Sequence, residues 1–229
     1  MTCHVKWVKP IVNSGLAEKT ETNMRLIGMM DSPYVRRVAV SLNVLGLPFT
    51  HEPISVFRDF DRFAAVNPVV KAPTLITGDG VALMESTLIL DYLDRLAPDD
   101  VRLSPPDLEP YQRAQRIVGL SLAACEKTVQ IVYERNLRPI EKVHEPWIDR
   151  LRTQLRSAYG LLEAEARSGS SWLFGPRPLQ ADITAAVAWR FTQTVLNHDL
   201  DAALYPRLSA LSLRAEQLPA FVSAPFEPA

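Results

Sequence analysis

Two kinds of hydrophobic pattern divide this chain of 229 residues. As far as residue 97, short apolar runs alternate with short amphipathic stretches; beyond it only long helical periods recur. Met24 to Met30 (MRLIGMM) is brief and apolar, which predicts a buried strand. Asp31-Ser32-Pro33 follows, and Val35, Val38, Ala39, Leu42 and Leu45 then recur at helical spacing. Pro33 suits the first helical position, which makes Ser32 the N-cap, and Gly46 ends the helix. Pro48 to Ile54 reads as a second strand, and Phe57 to Val66 as a short irregular helix broken by Asn67-Pro68. Ala72 to Thr77 and Val81 to Met84 flank Gly78-Asp79-Gly80, a hairpin signal because glycine supplies the positive φ of a tight turn. A helix then opens at Glu85-Ser86, with Leu88, Leu90, Tyr92, Leu93 and Leu96 as its apolar positions and Ser86 as its cap.

The order strand, helix, strand, helix, hairpin, helix predicts a βαβ unit followed by a ββα unit, with an antiparallel edge contributed by the hairpin. The helices beginning at Pro33 and Ser86 both leave the carboxyl ends of strands, so their N-termini can share one crevice. Pro98 to Pro110 holds four prolines and four acids and reads as a stiff linker. After it come helical patterns over Tyr111 to Leu137, Trp147 to Ala166, Gln180 to Val195 and Tyr205 to Gln217, with Ser168-Gly169-Ser170 as a loop and an irregular tail from Pro219. The expected fold is therefore α/β followed by all-α. Its divisions are an extension over 1–23, a first domain over 24–97, a linker over 98–109 and a helical domain over 110–229. Residues 1–23 lack a sustained period; Met24 could be the natural start, or Trp7 and Val8 could anchor a short docked arm.

Composition narrows the function. Lys plus Arg number 25 against 26 acids, a net charge of −1, so neither nucleic acid nor an acidic membrane is the expected partner. Arg36-Arg37 reads as one residue at a buried edge and one solvated residue. Two cysteines, Cys3 and Cys125, are too few for a disulfide framework and fit a reducing cytoplasm. No apolar run approaches the ~18–20 residues of a membrane span, and the N-terminus lacks the apolar core of a signal peptide. The four histidines show no metal-ligand spacing, so no metal is expected, and no phosphate-binding glycine motif occurs.

The candidate chemistry lies at the two helix starts. Glu85 and Ser86 place a carboxylate and a hydroxyl where a helix presents unpaired N–H donors, which is a ready site for small anions. Pro73 heads the hairpin; a cis bond before it would leave the backbone of Ala72 free to pair with an extended peptide. The plainer alternative is a strand-starting proline with a capped helix behind it.

Five pieces of sequence occur here in a familiar order: Ser32-Pro33-Tyr34-Val35-Arg36, Asn67-Pro68, Lys71-Ala72-Pro73, Glu85-Ser86 followed by Leu-Ile-Leu-Asp-Tyr-Leu, and Gln180-Ala181-Asp182-Ile183. In combination, from about Met24 to Phe221, they resemble the cytosolic glutathione S-transferases of the serine type, as found in bacteria. The resemblance implies a thioredoxin-like N-terminal domain, an all-helical substrate-binding domain, a homodimer, and glutathione as co-substrate. It also implies roles. Ser32 would donate a hydrogen bond to the glutathione thiolate, which is the reactive form of a thiol whose ordinary pKa is ~8.5. Ser86 suits the γ-glutamyl carboxylate and Glu85 the ammonium. A cis Ala72–Pro73 bond would present Ala72 to the cysteinyl backbone, and Lys71, or less directly Arg58, suits the glycine carboxylate.

Tyr34 is a rival to Ser32, and plain N-capping is the rival role for Ser32 itself. Cys3 precedes the fold and Cys125 belongs to the long helix, so disulfide exchange through a protein thiol is disfavoured. Leu179 stands where relatives carry the Ser or Thr of a capping box, three residues before Asp182, which bears on local stability. Tyr111, Tyr133, Trp189 and Phe191 are aromatic candidates for the electrophile pocket. The leading function is conjugation of glutathione to small apolar electrophiles. The alternatives are glutathione-dependent isomerisation or dehalogenation by the same thiolate, and a non-catalytic binding module.

Overall fold

The computed structural model describes residues 24–166 and 171–227. The extension over 1–23 and the loop Ser168-Gly169-Ser170 lie outside the described residues.

The first domain is a four-stranded sheet of order β2-β1-β3-β4. Strand β1 (Met24–Ile27) pairs in parallel with β2 (Phe49–Glu52), reached through helix α1 (Pro33–Leu45). After α2 (Phe60–Val66), strands β3 (Thr74–Ile76) and β4 (Ala82–Met84) add antiparallel partners, and α3 (Ser86–Leu96) closes the unit. Met24, Leu26 and Leu75 are fully shielded and pack with α1 and α3; α1 buries the apolar positions that its periodicity marked, whereas α3 buries Leu90 and Leu93 but leaves Leu88 and Leu96 exposed. This is the thioredoxin-like architecture that the resemblance implies. Gly46 adopts φ 66° and sends its N–H back to the last turn of α1, a left-handed cap for which glycine is suited.

The second domain is helical: α4 (Leu108–Asn136), α5 (Glu145–Glu165), α6 (Gln180–Val195), α7 (Pro206–Ala215) and a single turn, α8 (Pro219–Val222). A buried hydroxyl chain joins three of them. The Tyr159 hydroxyl lies 2.7 Å from Thr192 Oγ1, which lies 2.8 Å from Thr128 Oγ1.

Four local expectations need correction. Helix α2 starts at Phe60 rather than Phe57, because Ser55 Oγ accepts from the N–H groups of Phe57 and Arg58 and holds that segment as a turn. Helix α4 starts at Leu108, so Pro110 lies in its first turn, where a missing N–H costs little. The tail is not wholly irregular: α8 buries Phe221 against the core, with Ala224 just behind it. Finally, Arg36 and Arg37 are both buried, at 0% and 2% exposure. Arg36 is held by Glu216 through two bonds of 2.7 Å and donates to the Ala224 carbonyl at 2.9 Å, which ties α1 to the C-terminal segment.

Leu179 supplies no side-chain cap, yet Asp182 serves the start of α6 from the other direction. Its carboxylate accepts from the N–H of Leu179 at 3.0 Å and of Leu173 at 2.7 Å. Burial pushes its pKa up, and these N–H donors oppose that shift. Asp182→Ala leaves both N–H groups without their partner and lowers stability by about 2 kcal/mol, read from urea melts.

Asp199, in the loop after α6, accepts two bonds from Arg135 at 2.7 and 2.9 Å and one from Arg152 at 2.8 Å. The Arg135 bonds, then those of Arg152, hold its carboxyl below the usual range. Its stabilising contribution is therefore present above the unfolded pKa of ~3.9 and is lost as pH falls through the lower folded value. Asp199→Asn is expected to be less stable by about 1 kcal/mol at neutral pH. Paired melts at descending pH should show the gap between variant and parent closing.

Candidate functional site

The sheet register brings the sequence candidates to one end of the first domain. Ile27, the last residue of β1, pairs with Thr74, the first of β3; Thr74 in turn pairs with Met84, the last of β4. The loop carrying Ser32, the Ala72–Pro73 segment and Glu85-Ser86 therefore leave the sheet side by side. Gly28 makes the approach close. A Cβ there would stand 2.6 Å from Val35 Cγ2 and 3.1 Å from Ala72 Cβ, and its φ of 139° is one that side chains disfavour.

Ser32 caps α1. Its Oγ accepts from the Val35 N–H at 3.4 Å, and the residue is partly exposed. A hydroxyl that accepts in this way keeps its own proton free to donate. Asp31 does not cap this helix; it is half-buried beside Ser32, and burial pushes its carboxyl above the usual range. Tyr34 is half-buried with its hydroxyl within electrostatic reach of Cys125 and Glu126 of α4; burial raises its pKa.

Ala72–Pro73 is a cis peptide bond. Pro73 is buried and Ala72 partly exposed. Among the described residues, neither the N–H nor the C=O of Ala72 has a hydrogen-bond partner. Lys71 is exposed, as is Arg58.

At the start of α3 the expected cap moves by one residue. Glu85 is the N-cap, and its carboxylate accepts from the Thr87 N–H at 3.2 Å. It stands at φ 72° and ψ 113°, a conformation that a non-glycine residue holds only where the surroundings enforce it, as functional sites often do. Ser86 is fully shielded, with its hydroxyl turned inward to accept from Arg37 Nη1 at 3.2 Å. Arg37 also reaches Thr87 Oγ1 at 3.4 Å. Sequence reasoning missed Arg37. Its position between Val35 and Val38, near the apolar face of α1, was the available signal.

The second domain forms the opposite wall. Tyr133 of α4 meets Phe57 of the β2–α2 loop edge-on, with ring centroids 5.5 Å apart, and both rings are partly exposed. Burial raises the Tyr133 pKa, and the nearby Asp31 raises it further. Trp189 and Phe191 lie in the core instead, and Tyr111 is exposed. Phe57 could not be singled out from sequence, because its partner lies 76 residues away on another domain. Cys125 is buried and free, with desolvation pushing its thiol up to about 12, so it stays protonated at neutral pH. Among the described residues no cluster of three His, Cys, Asp or Glu is placed to hold a metal ion, and no helix is long and apolar enough to cross a membrane.

Comparison with known proteins follows this geometry. Residues 26–104 match the family description "Glutathione S-transferase, N-terminal domain" and residues 145–213 match "Glutathione S-transferase, C-terminal domain". Glutathione S-transferase U4 of Arabidopsis thaliana is 30% identical over 129 residues, covering 51% of this chain and 56% of that protein. The match thus spans little more than half the length of that relative. Maleylacetoacetate isomerase of Pseudomonas aeruginosa is 27% identical over 212 residues, covering 88% of this chain and 95% of the isomerase. The crystal structure of a glutathione S-transferase from Methylobacterium radiotolerans, in complex with glutathione sulfonate, superposes with a TM-score of 0.83 at 29% identity. That superposition covers 91% of this chain and 97% of that one. With both family domains in their proper order on a thioredoxin-like sheet and a helical partner, the chain belongs to the glutathione S-transferase family.

Proposed function

We propose that the protein is a glutathione transferase that ionises the tripeptide thiol at Ser32 and adds it to a small apolar electrophile. The observation that carries this reading is the Ser32 hydroxyl, which accepts from the Val35 N–H at the start of a 13-residue helix and so retains a proton for the sulfur. A hydroxyl donor and a helix N-terminus both favour an anion, so both lower the pKa of a thiol placed there. The thiol proton leaves to solvent. The thiolate then forms a carbon–sulfur bond as the electrophile expels its leaving group or takes the electron pair.

In this reading the free backbone of Ala72 pairs with the cysteinyl residue. Glu85 and the first turn of α3 hold the γ-glutamyl end, and Lys71 meets the glycine carboxylate. Ser86 acts from beneath this turn rather than from its surface, consistent with its inward hydroxyl. Phe57 and Tyr133 border the space for an aromatic electrophile. The exposed apolar side chains Val69, Val81, Met84 and Leu88, around the edge strand and the start of α3, support a homodimer that covers them.

Calorimetric titration with glutathione, followed by turnover of a chromogenic aryl halide, tests the proposal. Heat of binding and product formation are expected. Absence of binding heat overturns it. A second reading, glutathione-dependent isomerisation, is supported by the likeness to the Pseudomonas isomerase along 212 residues. Isomerisation of a cis-enone diketo acid in place of aryl transfer would favour it.

A further inference from the structure

Arg37 carries a positive charge into the interior with little to meet it. It is 2% exposed, and among the described residues its Nε has no hydrogen-bond partner. Among the described residues no carboxylate lies within 4.0 Å of the guanidinium. Its neighbour Arg36 is equally buried but has Glu216 at 2.7 Å. Withdrawing an ion from water costs several kcal/mol, and an unpaired buried charge is retained only where something recovers that cost. The groups facing Arg37 are Glu85, Tyr34 and Cys125. Tyr34 and Cys125 stay protonated, since burial raises both. Glu85 acts from beyond ion-pair distance while its carboxylate receives the Thr87 N–H. Burial lowers the Arg37 pKa to about 10, which leaves it charged at neutral pH.

The guanidinium is aimed at one place. Its Nη1 donates to the hydroxyls of Ser86 and Thr87, in the first turn of the 11-residue helix α3. Hydroxyls that accept from a cation keep their own protons for an anion on the far side. Thr87 is partly exposed, so that polarised chain reaches the surface. We propose that Arg37 is the fixed counter-charge for the α-carboxylate of an amino-acid head group seated on the first turn of α3, with Glu85 receiving the ammonium. A cation behind the helix start and a carboxylate in front of it form a pair matched to a zwitterion. This inference rests on the glutathione reading, in which the γ-glutamyl end is that head group. Arg37 is a positioning residue: it acts through Ser86 and Thr87.

The test uses calorimetry with three ligands: glutathione, an analogue with 4-aminobutyryl in place of γ-glutamyl (no α-carboxylate), and one with glutaryl (no ammonium). The parent protein is expected to bind glutathione about 30-fold or more tightly than the aminobutyryl analogue, the scale for removing one partner of a buried charge pair. In Arg37→Met that ratio should shrink to about threefold, while the glutaryl penalty stays at its parental value. Arg37→Lys, which keeps the charge but not the fork, should fall between. A full parental carboxylate penalty in folded Arg37→Met overturns the proposal. So does a parent protein that binds the aminobutyryl analogue as well as glutathione, a result that stands even if neither variant folds. Failure of the parent to bind glutathione at all would instead remove the underlying reading.

Discussion

Replacing Ser32 with alanine is expected to lower kcat/KM for glutathione conjugation by about 100-fold while changing glutathione affinity by no more than about threefold. In the proposed mechanism the hydroxyl stabilises a charge on sulfur, and a bound thiol that stays protonated loses little when the donor is removed. The pH profile separates this role from a structural one. With Ser32 the bound thiol is expected to have a pKa below the ordinary ~8.5, so the rate should reach its plateau near neutrality. Without the hydroxyl, the bound thiol returns toward its ordinary value and the rate climbs with pH over the alkaline range. Ser32 also caps α1, and alanine removes that bond to the Val35 N–H at a cost of about 1 kcal/mol. Ser32→Gly keeps most of the capping energy, because glycine is tolerated at this position. Glycine and alanine variants equally slow, but differing in melting temperature, would assign the rate loss to the missing donor. An alanine variant with unchanged rate and unchanged pH profile would remove Ser32 from the mechanism.

The largest expected effect on stability is at Glu216. Arg36 is fully buried, and its guanidinium is satisfied by two bonds to Glu216, one to the Ala224 carbonyl, and the ring of Phe221 with its centroid 5.6 Å away. Glu216 is itself 25% exposed. The pair is thus asymmetric: the acid can rehydrate if abandoned, and the base cannot. Glu216→Ala leaves an uncompensated buried charge and should cost about 3–5 kcal/mol. At about 2–4 °C per kcal/mol for a chain of this size, the melting temperature should fall by roughly 6–20 °C. Arg36→Met removes the charge with its penalty and should cost clearly less. Thermal melts of both variants decide the matter; equal losses, or a larger loss in Arg36→Met, would contradict the asymmetry.

Much of the first domain was legible because its signals are local. Ser32-Pro33 before an apolar period, Gly46 after it, and Gly78-Asp79-Gly80 between two apolar runs each state a backbone conformation that neighbouring residues satisfy by themselves. The apolar positions of α1 also reported burial correctly, because amphipathic period and burial share one cause, while Leu88 and Leu96 of α3 are exposed despite their helical spacing. At the candidate site, the expectations that need correction concern polar side chains. Ser86 has the chemistry of an N-cap, yet Glu85 takes the position and Ser86 turns toward Arg37. The pair Arg36-Arg37 reads from sequence as one residue at a buried edge and one solvated residue, yet both are buried. Both errors arise at one contact between residues 49 apart in sequence.

The amino-acid order alone determined a βαβ–ββα sheet domain, a proline-rich divide and a helical second half, with the candidate residues Ser32, Ala72, Pro73, Glu85 and Ser86 in place. These depend on periodicity, caps and turns, whose energies are set within a few residues. The order of elements already pointed the starts of α1 and α3 at one crevice, but only the tertiary structure decided the register by which β3 brings Ala72–Pro73 to that same end. It also decided that Phe57 meets Tyr133 across the domains and that Arg37 stands behind the start of α3. Those outcomes depend on which surfaces exclude water together, and a charge or a ring carries no local mark of the partner that will bury it.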